Sequence, residues 1–204
     1  MMLACYIPLL QVFFACTDPS LNPELAAVNP PPDQIEFCGI IDDQSDQYMP
    51  LYQQYKKEPN GPTQDSLTVQ MREVFRTRNQ KIIDSLLAHH FHVEEWGTHI
   101  DKMSHYAQDS GSGTGTVIEL NLSANCRTKT TLQVDVVDGT PLAATLADRK
   151  AGDNLAITGN FVMHYTDTTP PTRALEWSVT RDRAMTTPEY HIEVTRFGVL
   201  PPPS

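Results

Sequence analysis

The order of strand-like and helix-like segments after residue 90 constrains the fold more than any other feature of this sequence. Five segments there alternate apolar and polar residues, which is typical of strands that bury one face. One further segment has the start signals of a short helix. The predicted strands cover 91–103, 115–122, 131–137, the part of 150–161 after the turn at Gly152, and 189–197, and the predicted helix covers 140–150.

Residues at the element boundaries support this order. Thr140 is a suitable N-cap, and Pro141 stands at the first helical position. A Gly-Asp turn at Gly152 precedes the fourth strand, in which Ile157 is expected in the core and Gly159 lets the strand bend. Three strands, a short helix and two strands are the order of the OB-fold. We therefore predict a mainly β protein with an N-terminal helix and an OB-fold-like, five-stranded Greek-key barrel.

The part of the chain before the barrel is predicted to be helical. Apolar residues recur at three- and four-residue steps over 64–88, which indicates an amphipathic helix, and a shorter helix is expected over 48–57. The apolar stripe is expected to pack against the domain that follows, and a membrane-surface helix is the alternative. The predicted domains are therefore a helical segment over 34–90 and a barrel over 91–200.

The first residues resemble a bacterial lipoprotein signal. An apolar run over 3–15 ends in Ala15-Cys16, and its length suits a signal-peptide core rather than a membrane-spanning helix. We expect residues 1–16 to act as the signal with Cys16 lipidated, and 17–33, rich in Pro, Asn and Asp, to be a flexible spacer. The predicted location is the bacterial cell envelope, anchored in the membrane and facing the periplasm. A buried N-terminal strand or helix is the alternative.

The remaining cysteines form a possible pair. If Cys5 leaves with the signal and Cys16 carries lipid, Cys38 and Cys126 remain, and two cysteines left in an exported protein commonly form a disulfide. Two unrelated buried thiols are the alternative, because free cysteine behaves as a small apolar residue.

Three short sequences form a recognisable set: Trp96-Gly97 in the first strand, "GDNLAITGNF" over 152–161 and "MTTPEYHIEVTRF" over 185–197. Together they resemble a family of uncharacterised exported bacterial proteins, often lipoproteins. The resemblance covers about 67–197. It implies an OB-like domain behind a helical N-terminal segment and a location in the envelope, and it implies no activity.

The charge distribution bears on the ligand. The chain has 15 Lys and Arg against 25 Asp and Glu, whereas nucleic-acid affinity comes mainly from basic residues, so we expect no nucleic-acid partner. Amides and carboxylates on the outer barrel face suit a saccharide or a protein better. The connection 164–187 is the second candidate contact region, with a lid over the barrel as its alternative role. The predicted contact residues are Glu119, Asn121, Gln133, Asp135, Tyr165, Trp177, Arg181 and Arg183.

Histidines concentrate between residues 89 and 105, and they form a candidate metal site. His90 and His92 are spaced to share one strand face with Glu94, and imidazole suits zinc, copper or nickel. A third ligand is not defined, and histidines near a helix C-terminus are favourable in any case. No resident cofactor is predicted, and no catalytic motif leads us to predict an enzyme.

Three hypotheses follow from the sequence. The first is a lipid-anchored, OB-like module that binds a protein or a saccharide in the cell envelope. The second is a structural envelope component without a ligand. The third is a metal-binding protein or metal-dependent enzyme built on the histidine cluster.

Overall fold

The computed structural model describes residues 30–58, 61–107, 113–122, 126–165, 173–176, 180–198 and 200. The elements in chain order are α1 (Pro32–Lys57), α2 (Pro62–Ala88), β1 (His92–Ala107), β2 (Thr114–Asn121), β3 (Thr131–Val137), α3 (Pro141–Leu146), β4 (Asn154–Phe161), β5 (His164–Tyr165), β6 (Arg173–Ala174), α4 (Arg181–Thr186) and β7 (Glu189–Gly198). Two long helices therefore precede a sheet domain that contains two short helices.

Five strands form a closed barrel in the order β1-β2-β3-β7-β4. The β3–β7 pair is parallel, and the other four pairs are antiparallel. The short helix α3 lies between β3 and β4 in the chain, and Thr140 caps it by accepting a hydrogen bond from Ala143 N–H. The predicted five-stranded barrel with one short helix is thus confirmed, and the arrangement is consistent with an OB-like barrel.

Alternating side chains fill the barrel interior. Ile118, Leu120, Leu132 and Ile157 are each 0% exposed, as the period-two pattern of the strands requires. Gly159 lies at a register shift between β4 and β7, where a Cβ atom would lie 2.9 Å from Val194 Cα. The glycine is therefore needed because two backbones approach closely, and not merely because the strand bends.

The helix α1 covers one end of the barrel. It spans 26 residues, so the helix predicted over 48–57 is only its last part, and α1 begins inside the predicted spacer. Phe37 of α1 lies 5.1 Å from the ring of Trp96 and 5.3 Å from the ring of Tyr190, measured between ring centroids. These aromatic contacts close the end where β1 and β7 begin.

Polar contacts and a disulfide fasten α1 to the barrel. The Asp42 carboxylate accepts hydrogen bonds from the backbone N–H groups of Arg127 (2.9 Å) and Thr128 (2.7 Å). Cys38 and Cys126 are joined in a disulfide, with 4.7 Å between their Cα atoms. The N-terminal helix is thereby part of the same folded unit as the barrel.

The helix α2 packs along α1 and carries a buried arginine. Arg78 is 0% exposed, and its guanidinium lies 2.9 Å from the Glu176 carboxylate and donates to the carbonyl oxygen of Ala184. Toward the C-terminal end of α2, Ile82 and Leu86 pack into the barrel core. The apolar stripe of α2 thus packs on α1 and on the barrel. None of the helices in the described part of the chain is long and apolar enough to cross a membrane.

The connection between β4 and β7 also contains structure. Its described parts form the short β5–β6 hairpin and the helix α4. Tyr48 of α1 donates to the Asp182 carboxylate, and the Ser45 hydroxyl donates to the carbonyl oxygen of Met185 at 2.6 Å. The helix α4 is therefore held against α1, and Arg78 adds a contact from α2.

Candidate binding surfaces

The outer face of β1, β2, β3 and β7 carries a row of polar side chains. Lys102 lies opposite Glu119, Glu119 opposite Gln133, and Gln133 opposite His191 in successive ladders. Because paired residues point to the same face of a sheet, these four side chains are neighbours on the outside of the barrel. Asp135 lies next to this row and is exposed. We call these five residues the polar row.

Three of the predicted contact residues, Glu119, Gln133 and Asp135, lie in the polar row. Asn121 is 5% exposed, so its amide offers little surface to a ligand. Arg183 is exposed and lies 3.6 Å from the Glu189 carboxylate at the start of β7. Trp177 and the side chains of Tyr165 and Arg181 lie outside the described residues.

Sequence reasoning missed two members of the polar row. Lys102 forms an exposed ion pair with Glu119 at 3.2 Å. His191 lies in the last barrel strand, and the alternation of that strand already placed it on the outer face with Glu189. The alternation of β7 thus indicated which face His191 occupies. It did not indicate that β7 pairs with β3, which brings His191 beside Gln133.

His191 is the most perturbed group of the polar row. Its side chain is 21% exposed, and burial lowers the pKa of its imidazole, whereas the neighbouring Asp135 and Glu189 carboxylates partly offset this shift. The loss of hydration favours the neutral ring. A neutral imidazole both donates and accepts hydrogen bonds, as hydroxyl-bearing or amide-bearing ligands require.

The predicted histidine cluster lines a separate groove. An open groove of about 730 Å³ lies between the start of α1, the end of α2 and the start of β1. Its lining side chains include His90, His92 and Glu94, together with acidic residues that sequence reasoning missed. The groove residues are Pro31, Pro32, Asp33, Glu36, Ala88, His89, His90, His92, Glu94 and Glu95, and we call this site the acidic groove.

The backbone beside the acidic groove is strained. His90, Phe91 and Glu95 have φ values of 55°, 60° and 55°, a region that residues other than glycine rarely adopt. Glu95 lies in a bulge of β1, where the ladder with β4 shifts register between Val93 and Trp96. The bulge turns two adjacent glutamates, Glu94 and Glu95, toward the groove.

The hydrogen bonds at the groove hold its walls in place. Trp96 Nε1 donates to the Asp33 carboxylate at 2.8 Å, and His92 Nδ1 lies 3.0 Å from Asn160 Oδ1. Arg196 contacts Glu95 at 3.2 Å. Within the described ranges, no three His, Cys, Asp or Glu side chains are placed to hold one metal ion. The hypothesis of a metal site at His90, His92 and Glu94 therefore gains no support from the geometry.

No protein-family model matches the sequence, and no curated protein and no solved structure matches it either. A function for the chain must therefore be argued from its own surfaces, because a fold by itself does not determine an activity. Cys16 lies outside the described residues.

Proposed function

We propose that this protein is a lipid-anchored interaction module of the bacterial cell envelope, built on an OB-fold barrel. Its polar row contacts a saccharide or a protein. The strand order β1-β2-β3-β7-β4, the parallel β3–β7 pair and the position of α3 between β3 and β4 support the OB-fold assignment. The apolar run before Cys16 supports the anchor.

The observation that carries the proposal is the exposure of the polar row on a barrel with a closed end. Phe37 fills the end where β1 begins, which leaves the outer face of β2 and β3 as the ligand surface that such barrels use. Glu119, Gln133 and Asp135 remain exposed or partly exposed there. Their carboxylates and amide accept and donate hydrogen bonds to hydroxyl and peptide groups.

The chemistry of the polar row disfavours nucleic acid. Its two carboxylates, Glu119 and Asp135, repel phosphates, and Lys102 is already paired with Glu119. Single-strand binders also use aromatic stacking platforms, whereas the row consists of aliphatic amide and charged side chains with one imidazole. A neutral saccharide or a polypeptide is the better match.

A binding experiment tests the ligand class. The full chain is titrated with a panel of defined oligosaccharides, including soluble peptidoglycan fragments, and binding is measured by calorimetry. Replacing both Gln133 and Asp135 with Ala should weaken binding about tenfold or more, since two hydrogen-bonding side chains are lost. The matched control replaces Gln70 and Glu73, which are exposed on α2, and should leave the affinity unchanged.

A second arm of the experiment tests a protein ligand. A photo-crosslinking residue placed at position 133 in cells should give a discrete adduct, whereas the same residue at position 70 should not. If no oligosaccharide binds and position 133 gives no adduct beyond that of position 70, the protein is a structural envelope component and the interaction module is wrong.

A further inference from the structure

The acidic groove carries an uncompensated negative charge. Asp33, Glu36, Glu94 and Glu95 all line it, and Arg196 contacts Glu95 alone. Among the residues that the structure describes, Glu36 and Glu94 form no ion pair. This concentration of carboxylates favours a cationic partner.

Apolar residues and three histidines form the rest of the groove's lining. Pro31 and Pro32 form one side, and Ala88 contributes the end of α2. Lysine and arginine side chains combine an apolar stem with a charged head, so they bury the stem against such walls while the head reaches a carboxylate. The groove therefore suits long basic side chains better than a small inorganic cation.

The groove continues along the seam between the two long helices. A second open groove of about 430 Å³ shares Glu36 and Ala88 with the first and adds Ile40, Lys81 and Asp84. Ile35 and Leu87, next in sequence to the two shared residues, are each 55% exposed. Exposed apolar side chains of this kind add contact area for a bound polypeptide. Because the two grooves share lining residues, they form neighbouring parts of one surface.

We propose that the acidic groove is a docking site for a lysine- or arginine-bearing segment of a partner protein. The site lies at the junction of α1, α2 and β1, and it is distinct from the polar row on β2 and β3. The unfavourable backbone conformations at His90 and Glu95 lie beside this site. The docking site does not depend on the lipid anchor or on the ligand of the polar row.

The test uses a labelled peptide of alternating lysine and alanine, and it measures binding to the full chain by fluorescence anisotropy at about 0.15 M salt. The variant E36Q/E94Q should weaken binding about fivefold, as expected for the loss of two exposed ion pairs. Glu36 and Glu94 are exposed, so both substitutions leave the core untouched.

The matched control, E73Q/D138N, removes the same charge at exposed positions outside the groove and should change the affinity less than about twofold. In the unsubstituted chain, the peptide should shift the amide resonances of 88–95 more than those of β3. An equal loss in both variants would show a general attraction to an acidic protein, and that result, or a failure of the peptide to bind, would overturn the docking site.

Discussion

The side-chain amide of Gln34 pairs with both backbone groups of Gly97. Gln34 Nε2 donates to the carbonyl oxygen of Gly97 at 2.7 Å, and Gly97 N–H donates to Gln34 Oε1 at 2.9 Å. The ladder of β1 with β2 begins at His99, two residues later. At Gly97, where β2 has no paired residue, the side chain of Gln34 from α1 makes the backbone hydrogen bonds instead. Gln34 is 0% exposed, which makes these bonds costly to lose.

Replacing Gln34 with Met should therefore destabilise the protein by about 2–4 kcal/mol, because two buried backbone groups lose their partners while the side-chain volume is kept. Urea unfolding of the full chain measures the change. The same substitution at Gln47, which is exposed on α1, serves as the control and should cost less than about 0.5 kcal/mol. Equal stability of the two variants would contradict the role of Gln34.

The buried ion pair between Arg78 and Glu176 predicts a second effect. The substitution E176Q should lower the free energy of unfolding by about 3 kcal/mol, since the guanidinium of Arg78 stays buried without a countercharge. Glu73→Gln breaks the exposed pair with Arg76 and should cost less than about 1 kcal/mol. Denaturant unfolding of both variants measures the two losses in the free energy of unfolding. Similar losses would show that burial does not strengthen the pair of Arg78 and Glu176.

The disulfide gives a third prediction. Replacing Cys38 and Cys126 with Ala should destabilise the chain by about 4 kcal/mol, because the bond closes a loop with a sequence separation of 88 residues and restricts the unfolded chain. The measurement is thermal unfolding under oxidising conditions. Reductant should then have no further effect on the variant. A variant as stable as the parent protein would show that the bond contributes nothing to the fold.

A fourth prediction concerns pH. Burial lowers the pKa of His99, with Asp101 opposing the shift, so His99 binds less proton in the folded protein than in the unfolded chain as the pH drops from about 6.5 toward the folded-state pKa. Stability should therefore fall as the pH drops from about 6.5 through the folded-state pKa of His99. The variant H99Q should show a smaller fall in melting temperature between about pH 7 and pH 5.5 than the parent.

A non-titrating exposed residue provides the control for this experiment, and Gln47→Ala should follow the parent profile. His191, whose pKa burial also lowers, contributes in the same direction, so H99Q removes part of the pH dependence and not all of it. If the melting temperature of H99Q depends on pH in the same way as that of the parent, His99 does not contribute to the pH dependence of stability.

The barrel was predictable because its signals are local. The period-two alternation of 131–137 predicted β3 with the bounds that the structure gives, and Thr140 and Pro141 predicted the start of α3. Each of these signals depends on neighbours within a few residues. Once the order of strands and helix is known, the rules for connections between strands leave only a few ways to pair the strands.

The first half of α1, the complete polar row and the acidic groove could not be predicted from local sequence patterns, because they depend on contacts between distant parts of the chain. Gln34, Asp42 and Ser45 are buried polar residues, so the helix lacks a clean apolar stripe, and their partners lie 63 to 140 residues away in the chain. The acidic groove likewise joins three elements. Sequence periodicity does not report such contacts, because it reflects burial against apolar surfaces.

The most direct test of the proposed function is the membrane association of a Cys16→Ser variant. The parent chain, produced in a bacterium, should sediment with the membranes after a carbonate wash, and the variant should move to the soluble fraction because serine has no thiol to acylate. Cys5→Ser, which changes a cysteine inside the apolar run, should leave the partition unchanged. Immunoblots of both fractions give the result, and a Cys16→Ser variant that still sediments like the parent would contradict the lipid-anchored module.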